Sequence, residues 1–545
     1  MDKKSSSIKY IFSFNDWASE TKCWIALGLL ILFHLLNNYF WLRQDCESLG
    51  YDVCHHINIV VSLQQQLRGF FSSNVDLIKT SNFISTFYNE DLVVSWPKFT
   101  HLITALLVLP FKDILFGIRF LNVLYFILMI VSIYLIGRKI HSSFAGLISA
   151  YLISFYLAIF GLSRKFGLDF PLTAIVCLII YFLIMCDEFK SRRYAILLAV
   201  SLGLGMLIKG QCIFYVIGPL IYVGIKGFKK NYANIIILVL LALVISLIWW
   251  HKIFYTLGLE SINNHILHES NLSRFQYRGN WQILKAATYY SFYIARDISL
   301  LFAIMFLSGA IFFIKKMNRG LFIIFLWLCV SYLAVSLIPT KNERYIFPAF
   351  GAIALISAIG WIKAPFKRNL KIIVLWLFIF YGILQFFNYS WYKTYPFFTE
   401  DIWCHPPKKN NHRLVTEDFN QIIQQRGRKE NSIAFIEEPF FHADACVRLG
   451  YFFKVLNQKN KIYLSAGGIF PVHTEDSFLK NSDNYNFLIA FSQYPKEPNF
   501  GGLLSFSDTA SESLVFNVTE KFKKYSILKT GILLPERVYI YLLER

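Results

Sequence analysis

Apolar residues along this chain come in long blocks separated by short polar punctuation, and the blocks stop near residue 390. The first covers 24–42; others follow at 114–136, 144–160, 170–185, 194–208, 211–225, 235–250, 298–313, 321–338, 346–362 and 372–387. A helix crossing a bilayer needs about 20 such residues. The pattern therefore predicts a polytopic α-helical membrane protein with about 11–13 spans, eleven being the count that suits the loops. The stretch 98–111 is too short to span and carries His101, so it reads as an amphipathic or re-entrant helix on the outer face. Runs 194–208 and 211–225 read as two short helices meeting at Lys209-Gly210. Past residue 394 the pattern shortens. Runs 432–436, 461–464, 487–491 and 538–542 have strand length, and 416–426 and 445–456 have helical spacing. The expected organisation is a membrane domain over 1–394, with a first outer loop over 43–113, and a soluble extracytoplasmic α/β domain over 395–545. About 150 residues suffice for a separate core.

Composition agrees with the membrane reading. The 545 residues are 56% hydrophobic and 16% charged, where a soluble protein carries about a quarter charged. The net charge of +20 could suggest a nucleic-acid partner. Its distribution argues against one, because the basic residues sit in short loops between apolar runs, where they set orientation. These loops are Arg138-Lys139, Lys190 with Arg192-Arg193, Lys226 with Lys229-Lys230, Lys315-Lys316 with Arg319, and Lys363 with Lys367-Arg368. With eleven spans all five fall on the side of Lys3-Lys4, the cytoplasmic side. The first run has no small-residue cleavage site after it. The expected location is the inner (cytoplasmic) membrane, multi-pass, with the C-terminal domain outside and membrane lipids as neighbours.

That orientation sends the chemistry to one face. Asp45, Asp52, His55, His56, Lys98, Arg164, Lys165, Asp169, Lys209, His265, His268, Glu269, Arg274, Lys341, Arg344 and Tyr345 all fall outside. Asp52, within the polar run 50–56, could act as a general base or cap a helix start near His55. Asp45 is the alternative base. Asp169 precedes Phe170-Pro171 at a helix start, which also suits a cap. Lys98, Lys209, Lys341 and Arg344 could bind a phosphate, with Tyr345 adding a hydrogen bond, or could anchor helix ends at the interface. His265, His268 and Glu269 lack a compact metal signature, so no cofactor is required, although a divalent metal is possible. Of nine cysteines, Cys23, Cys177, Cys186, Cys212 and Cys329 lie in or beside spans. Cys46, Cys54, Cys404 and Cys446 face outward, where Cys46–Cys54 and Cys404–Cys446 are possible disulfides among three connectivities.

Four motifs in order carry a resemblance. They are Tyr51-Asp52-Val53-Cys54-His55, Trp96-Pro97-Lys98-Phe99, Arg164-Lys165-Phe166-Gly167-Leu168-Asp169-Phe170-Pro171-Leu172, and Lys341-Asn342-Glu343-Arg344-Tyr345-Ile346-Phe347-Pro348. The stretch 203–210, ending in Lys209-Gly210, is a weaker fifth. In this set the chain resembles the GT-C type membrane glycosyltransferases, in the bacterial branch of the protein O-mannosyltransferases and the lipid A aminoarabinose transferase. It departs from them at Val53, where an acid is frequent, and at Lys98, where a second proline is common. The resemblance implies a GT-C fold and an inverting transfer of sugar from a polyprenyl-phosphate donor. The acceptor would be a glycan, lipid or protein on the outer face of the membrane. It implies catalytic roles for Asp52 and Asp169, and donor-phosphate roles for Lys98, Lys209, Lys341, Arg344 and Tyr345. It implies substrate-binding roles for His55, His56, Trp96 and Arg164, while His268 and Glu269, outside these motifs, read by their outer-face position as substrate-binding groups that hydrogen-bond acceptor or phosphate. The alternatives are a transporter or flippase of lipid-linked sugars, which should show inverted repeats, and a non-catalytic membrane scaffold. No internal repeat is visible.

Overall fold

The computed structural model describes residues 19–45, 51–72, 97–272, 280–315, 317–338, 341–392 and 404–407, together with 418–419, 421–422, 425 and five strands nearer the C-terminus. Over 252–272 and 280–286 only backbone is described, and over 51–72 the side chains are described in part. The chain forms two compact units, Met1–Arg43 with Gln66–Pro406, and Gln44–Gln65 with Pro407–Arg545.

The first unit is helical because its apolar runs are too long for strands and, in a bilayer, a lone segment must satisfy its own backbone. Among the described residues six helices are long and apolar enough to cross: Glu20–Gln44, Ile114–Ile140, Cys212–His251, Arg319–Leu337, Glu343–Lys363 and Arg368–Tyr392. A pair bent by 119°, Ala287–Ile298 with Leu300–Ile314, makes a seventh. The break falls at Ser299, whose φ of 79° takes it out of the helical region. Ser143–Phe155 and Asp169–Met185 are apolar but shorter.

One of the six folds back on itself. Helical residues extend over Cys212–Leu272, but not along one axis. A straight helix would carry Trp250 about 55–60 Å from residue 212. Yet a Cβ on Gly210 would lie 2.5 Å from the Trp250 ring, and the Trp250 indole donates to the Met206 carbonyl at 3.1 Å. The reversal lies near the basic run 226–230. There Asn231 and Asn234 donate to the carbonyls of Glu188 and Phe189, at 2.8 and 2.7 Å. Those acceptors belong to a corner in which Asp187, Glu188 and Phe189 all take positive φ, and Arg319 clamps it through Asp187 at 2.9 Å and Glu188 at 3.0 Å. The runs 211–225 and 235–250 are thus two arms of a hairpin, and they return the chain to the Lys209 end.

Burial separates centre from rim. The most apolar window of Glu343–Lys363 is 83% buried, against 17% for Cys212–His251 and 22% for Arg368–Tyr392. Helices Leu300–Ile314 and Phe350–Lys363 meet backbone to backbone, since a Cβ on Gly360 would sit 2.0 Å from the Gly309 carbonyl oxygen. Small residues permit such contact where lipid supplies no hydrophobic drive. Gly360→Ala should therefore push these helices apart and cost about 1–3 kcal/mol. A thermal melt in detergent checks this, and an unchanged melting temperature would contradict the packing.

The second unit contains a five-stranded mixed sheet. Its strands are β1 (Ser432–Glu437), β2 (Lys461–Leu464), β3 (Phe487–Ser492), β4 (Ser526–Leu533) and β5 (Val538–Glu544), in the order β2-β1-β3-β5-β4. β1 pairs in parallel with β2 and β3, while β5 is antiparallel to β3 and β4. The strand β4 lies outside the apolar runs visible in the sequence. This unit also takes Gln44–Gln65, which includes the start of helix Tyr51–Ser72. Asp52 is the second residue of that helix, so the helix begins ahead of Asp52 and not near His55.

Candidate active site

Three separate pieces of chain bring charge to one point. The first is Asp169, the opening residue of helix Asp169–Met185. The sequence pattern allowed a helix cap here, but the carboxylate is engaged by cations. The second is Lys209, where helix Arg192–Ile208 ends and the backbone turns extended, with φ −159° and ψ 128°. Its ammonium meets Asp169 Oδ1 at 2.7 Å. The third is the 3-10 turn Glu343–Ala349, which follows an Asn342 cap and carries Arg344 and Tyr345. Arg344 Nη1 lies 3.6 Å from Asp169 Oδ2, and its Nε donates to Asn342 Oδ1 at 3.2 Å. The Lys209 ammonium lies 5.1 Å from the centre of the Tyr345 ring. Tyr215, from the Cys212–Leu272 helix, donates its hydroxyl to the Tyr345 carbonyl at 2.8 Å.

The side chains of Asp169 and Lys209 are only 11% and 13% exposed, and that of Arg344 is 28% exposed. A pair this sheltered is not screened as a surface pair would be. Two cations stand against one carboxylate, so these three groups carry one net positive charge at neutral pH. Such a cluster suits an anion, and the Arg344 guanidinium offers further donors in a planar fork.

A buried network supports the turn from behind. Arg296 donates to Asp297 Oδ1 from Nε at 2.9 Å and from Nη2 at 2.7 Å, and it also pairs with Glu343. The Asp297 side chain is wholly buried. These residues close helix Asn280–Ile298 just before the bend at Ser299, and Glu343 adjoins Arg344. Arg296, Asp297, Glu343 and Tyr215 are absent from the sequence-based candidates. The signal available for the first two was a charged pair directly before the apolar run 298–313.

Other candidates fall elsewhere. Lys341 gives its ammonium to the carbonyls of Ile338 at 2.7 Å, Val335 at 3.3 Å and Ser336. It thus caps the C-terminal end of helix Arg319–Leu337. Burial pulls its pKa down to about 8, while three carbonyls favour the ammonium, so it stays charged at neutral pH. Lys341→Ala should cost about 1–3 kcal/mol in stability through those stranded carbonyls, and should leave transfer within about tenfold of wild type. Parallel melting and transfer measurements check this. A transfer loss without destabilisation would return Lys341 to the phosphate.

Arg164 is 2% exposed and donates from Nε to Asn38 Oδ1 at 3.0 Å. The rings of Trp41, Phe160 and Phe386 surround it, with centroids at 4.8, 5.6 and 5.5 Å. This is a packed cation held by ring faces. Lys98 is buried at the start of helix Phe99–Leu107, and the adjacent Phe99 packs on Leu207 and Trp249, near the Lys209 end. His56 is buried in the helix Tyr51–Ser72. For Asp52, His55, His268 and Glu269 only helical backbone is described, and Trp96 lies outside the described residues. Cys404 is buried and its sulfur donates to the Leu157 carbonyl at 2.9 Å. Cys404 thus keeps its thiol, and the expected Cys404–Cys446 disulfide is not formed, whereas Cys46, Cys446 and the Cys54 side chain, and with them the expected Cys46–Cys54 disulfide, lie outside the described residues. Among the described residues no group of three or more His, Cys, Asp or Glu side chains converges.

The overall fold is that of the GT-C type membrane glycosyltransferases. Residues 95–250 match the family described as dolichyl-phosphate-mannose-protein mannosyltransferase, a stretch containing Lys98, Arg164, Asp169 and Lys209. Among solved structures, the crystal structure of ArnT from Cupriavidus metallidurans bound to undecaprenyl phosphate is similar, with a TM-score of 0.59 at 13% identity. That match covers 95% of this chain and 98% of ArnT. The apo state of the same protein gives 0.58 at 13% identity, over 96% and 98% of the two chains. A protein of Aquifex aeolicus (strain VF5), described as uncharacterized, is 24% identical over 363 residues, which is 64% of this chain and 67% of that one. The resemblance read from the motifs, to the O-mannosyltransferase and aminoarabinose transferase branches, holds.

Proposed function

We propose that the chain is an inverting glycosyltransferase that moves a sugar from a polyprenyl-phosphate donor to an acceptor on the outer face of the cytoplasmic membrane. The observation that carries this reading is the Asp169–Lys209–Arg344 cluster, with two cations on one sheltered carboxylate. A polyprenyl-phosphate sugar is a phosphodiester with one negative charge. When its C1–O bond breaks, the leaving phosphate keeps the electron pair and becomes a monoester, whose second pKa is roughly 6. Negative charge thus grows at the phosphate as the bond lengthens. Fixed cations already in place stabilise that change more than they stabilise the bound donor.

The acceptor hydroxyl attacks C1 from the face opposite the departing phosphate, which inverts the anomeric centre. Its proton goes to Asp52, assigned as the base from the motif around residue 52. Lys209 and Arg344 hold the phosphate, Asp169 orients both, and Tyr345 lies against Lys209. Lys98 is a further candidate for the phosphate. Within this reading the membrane domain spans 1–394 with about eleven crossings, and 395–545 is an extracytoplasmic α/β domain.

The test is a lipid extract from cells lacking the protein. One polyprenyl-phosphate sugar should accumulate, and restoring the wild-type chain should clear it while the Arg344→Ala chain should not. An unchanged pool of lipid-linked sugars would contradict the reading.

A further inference from the structure

The first unit carries a second feature at the opposite end from Lys209. Helices Glu20–Gln44, Ser143–Phe155 and Arg368–Phe387 enclose a cavity of about 690 Å³. A smaller cavity of about 230 Å³ opens on the other side of helix Arg368–Phe387, and Phe144, Ile148 and Leu375 line both. The walls are stripes of helical spacing, Leu147 and Tyr151 on one helix and Ile372, Leu375 and Ile379 on another. At the inner end the Tyr151 hydroxyl donates to the Ile379 carbonyl at 2.6 Å and ties those two helices together.

The mouth has a different chemistry. Lys22, Phe144 and Arg368 each lie in the first turn of their helix, so three helix N-termini converge there. Each presents the positive end of its dipole, which favours phosphate. Lys22 and Arg368 add full charges at the two cavities. Lys371 also lines the smaller one, with its ammonium on the Ile362 carbonyl at 2.8 Å. Glu20, in the first turn beside Lys22, pairs with Arg138 at 2.5 Å. From Lys22 to Leu30 the larger cavity extends about 12 Å along the helix axis. One leaflet of hydrocarbon is about 15 Å thick, half of a bilayer core. The groove therefore matches a chain confined to a single leaflet.

We infer that this groove is a binding site for an anionic two-chain phospholipid. One acyl chain lies in each cavity on either side of Leu375, and the phosphate rests on the three helix N-termini between Lys22 and Arg368. Moving an acyl chain from bilayer to groove brings little hydrophobic gain, so the headgroup decides selectivity. A basic residue near the surface favours an anionic lipid by about fivefold, which gives about 25-fold for Lys22 and Arg368 together. The site needs no assumption about sugar transfer and stands or falls separately from it.

The test uses the full chain in nanodiscs of either dioleoyl-phosphatidylglycerol or dioleoyl-phosphatidylcholine, followed by delipidation and native mass spectrometry. Wild type should keep one phosphatidylglycerol and prefer it over phosphatidylcholine by about 25-fold. The double variant Lys22→Gln, Arg368→Gln should keep a lipid but lose the preference. Leu375→Trp should fill the shared wall and abolish retention. If that variant does not fold, Leu147→Trp on the facing helix gives the same readout. Equal retention of the two lipids by wild type would overturn the proposal. So would full retention in the folded tryptophan variant, or a polyprenyl phosphate as the retained molecule.

Discussion

Replacing Lys209 by alanine is expected to lower transfer by about 10²–10³-fold, the usual loss when one donor to a developing anion is removed. Lys209 sits 2.7 Å from Asp169, while Arg344 is 3.6 Å away, so the substitution also leaves the carboxylate with its weaker partner. Removing one member of a sheltered pair costs about 3–5 kcal/mol. Activity and stability therefore have to be separated. The double variant Lys209→Met, Asp169→Asn removes both charges, and its melting temperature should recover toward wild type. Its transfer rate should not recover, because Arg344 alone then faces the phosphate. Lys209→Arg keeps the charge and should retain more activity than alanine. If the alanine variant turns over within a few fold of wild type, the cluster is structural and the donor phosphate binds elsewhere.

Asp52→Asn carries the second large effect. A positioned general base contributes about 10²–10⁴-fold, and asparagine has the same shape without the basicity. Turnover should fall by that factor while donor retention stays within about twofold, since the phosphate is held by other residues. The readout is a pair of measurements, turnover at saturating donor and retention of labelled donor by the same sample. Full activity in this variant would sink the base assignment and move attention to Asp45. A parallel loss of retention would make Asp52 a binding residue.

The cluster was legible because its residues interrupt apolar runs where interruption is costly. Lys209-Gly210 parts two runs too short to stand alone, and Asp169 stands at the start of another. Arg344-Tyr345 was visible for the same reason. The hairpin within Cys212–Leu272 was equally plain in the basic loop 226–230, which parts its two arms. Lys341 shows where such reading stops. A lysine after an apolar run looks the same whether it binds a phosphate or caps a helix, and the three carbonyls that Lys341 meets belong to no pattern visible in the sequence. Arg164 depended on Trp41, Phe160 and Phe386, which lie too far apart in the chain for any local pattern to join them. The Arg296–Asp297 pair is absent from the sequence reading, because its partner Glu343 comes from a distant turn. In the second unit, β4 was hidden because Lys529, Thr530 and Gly531 interrupt its apolar residues, while β5 supplies the pairing that makes it a strand.

The most direct measurement supplies the purified chain with a labelled polyprenyl-phosphate sugar and membrane acceptor, and follows both products. Polyprenyl phosphate should appear in step with labelled acceptor whose transferred sugar carries the inverted anomeric configuration, and neither should appear with the Lys209→Ala, Arg344→Ala double variant. Movement of the intact lipid-linked sugar across a vesicle membrane, with no glycosidic bond made or broken, would contradict sugar transfer.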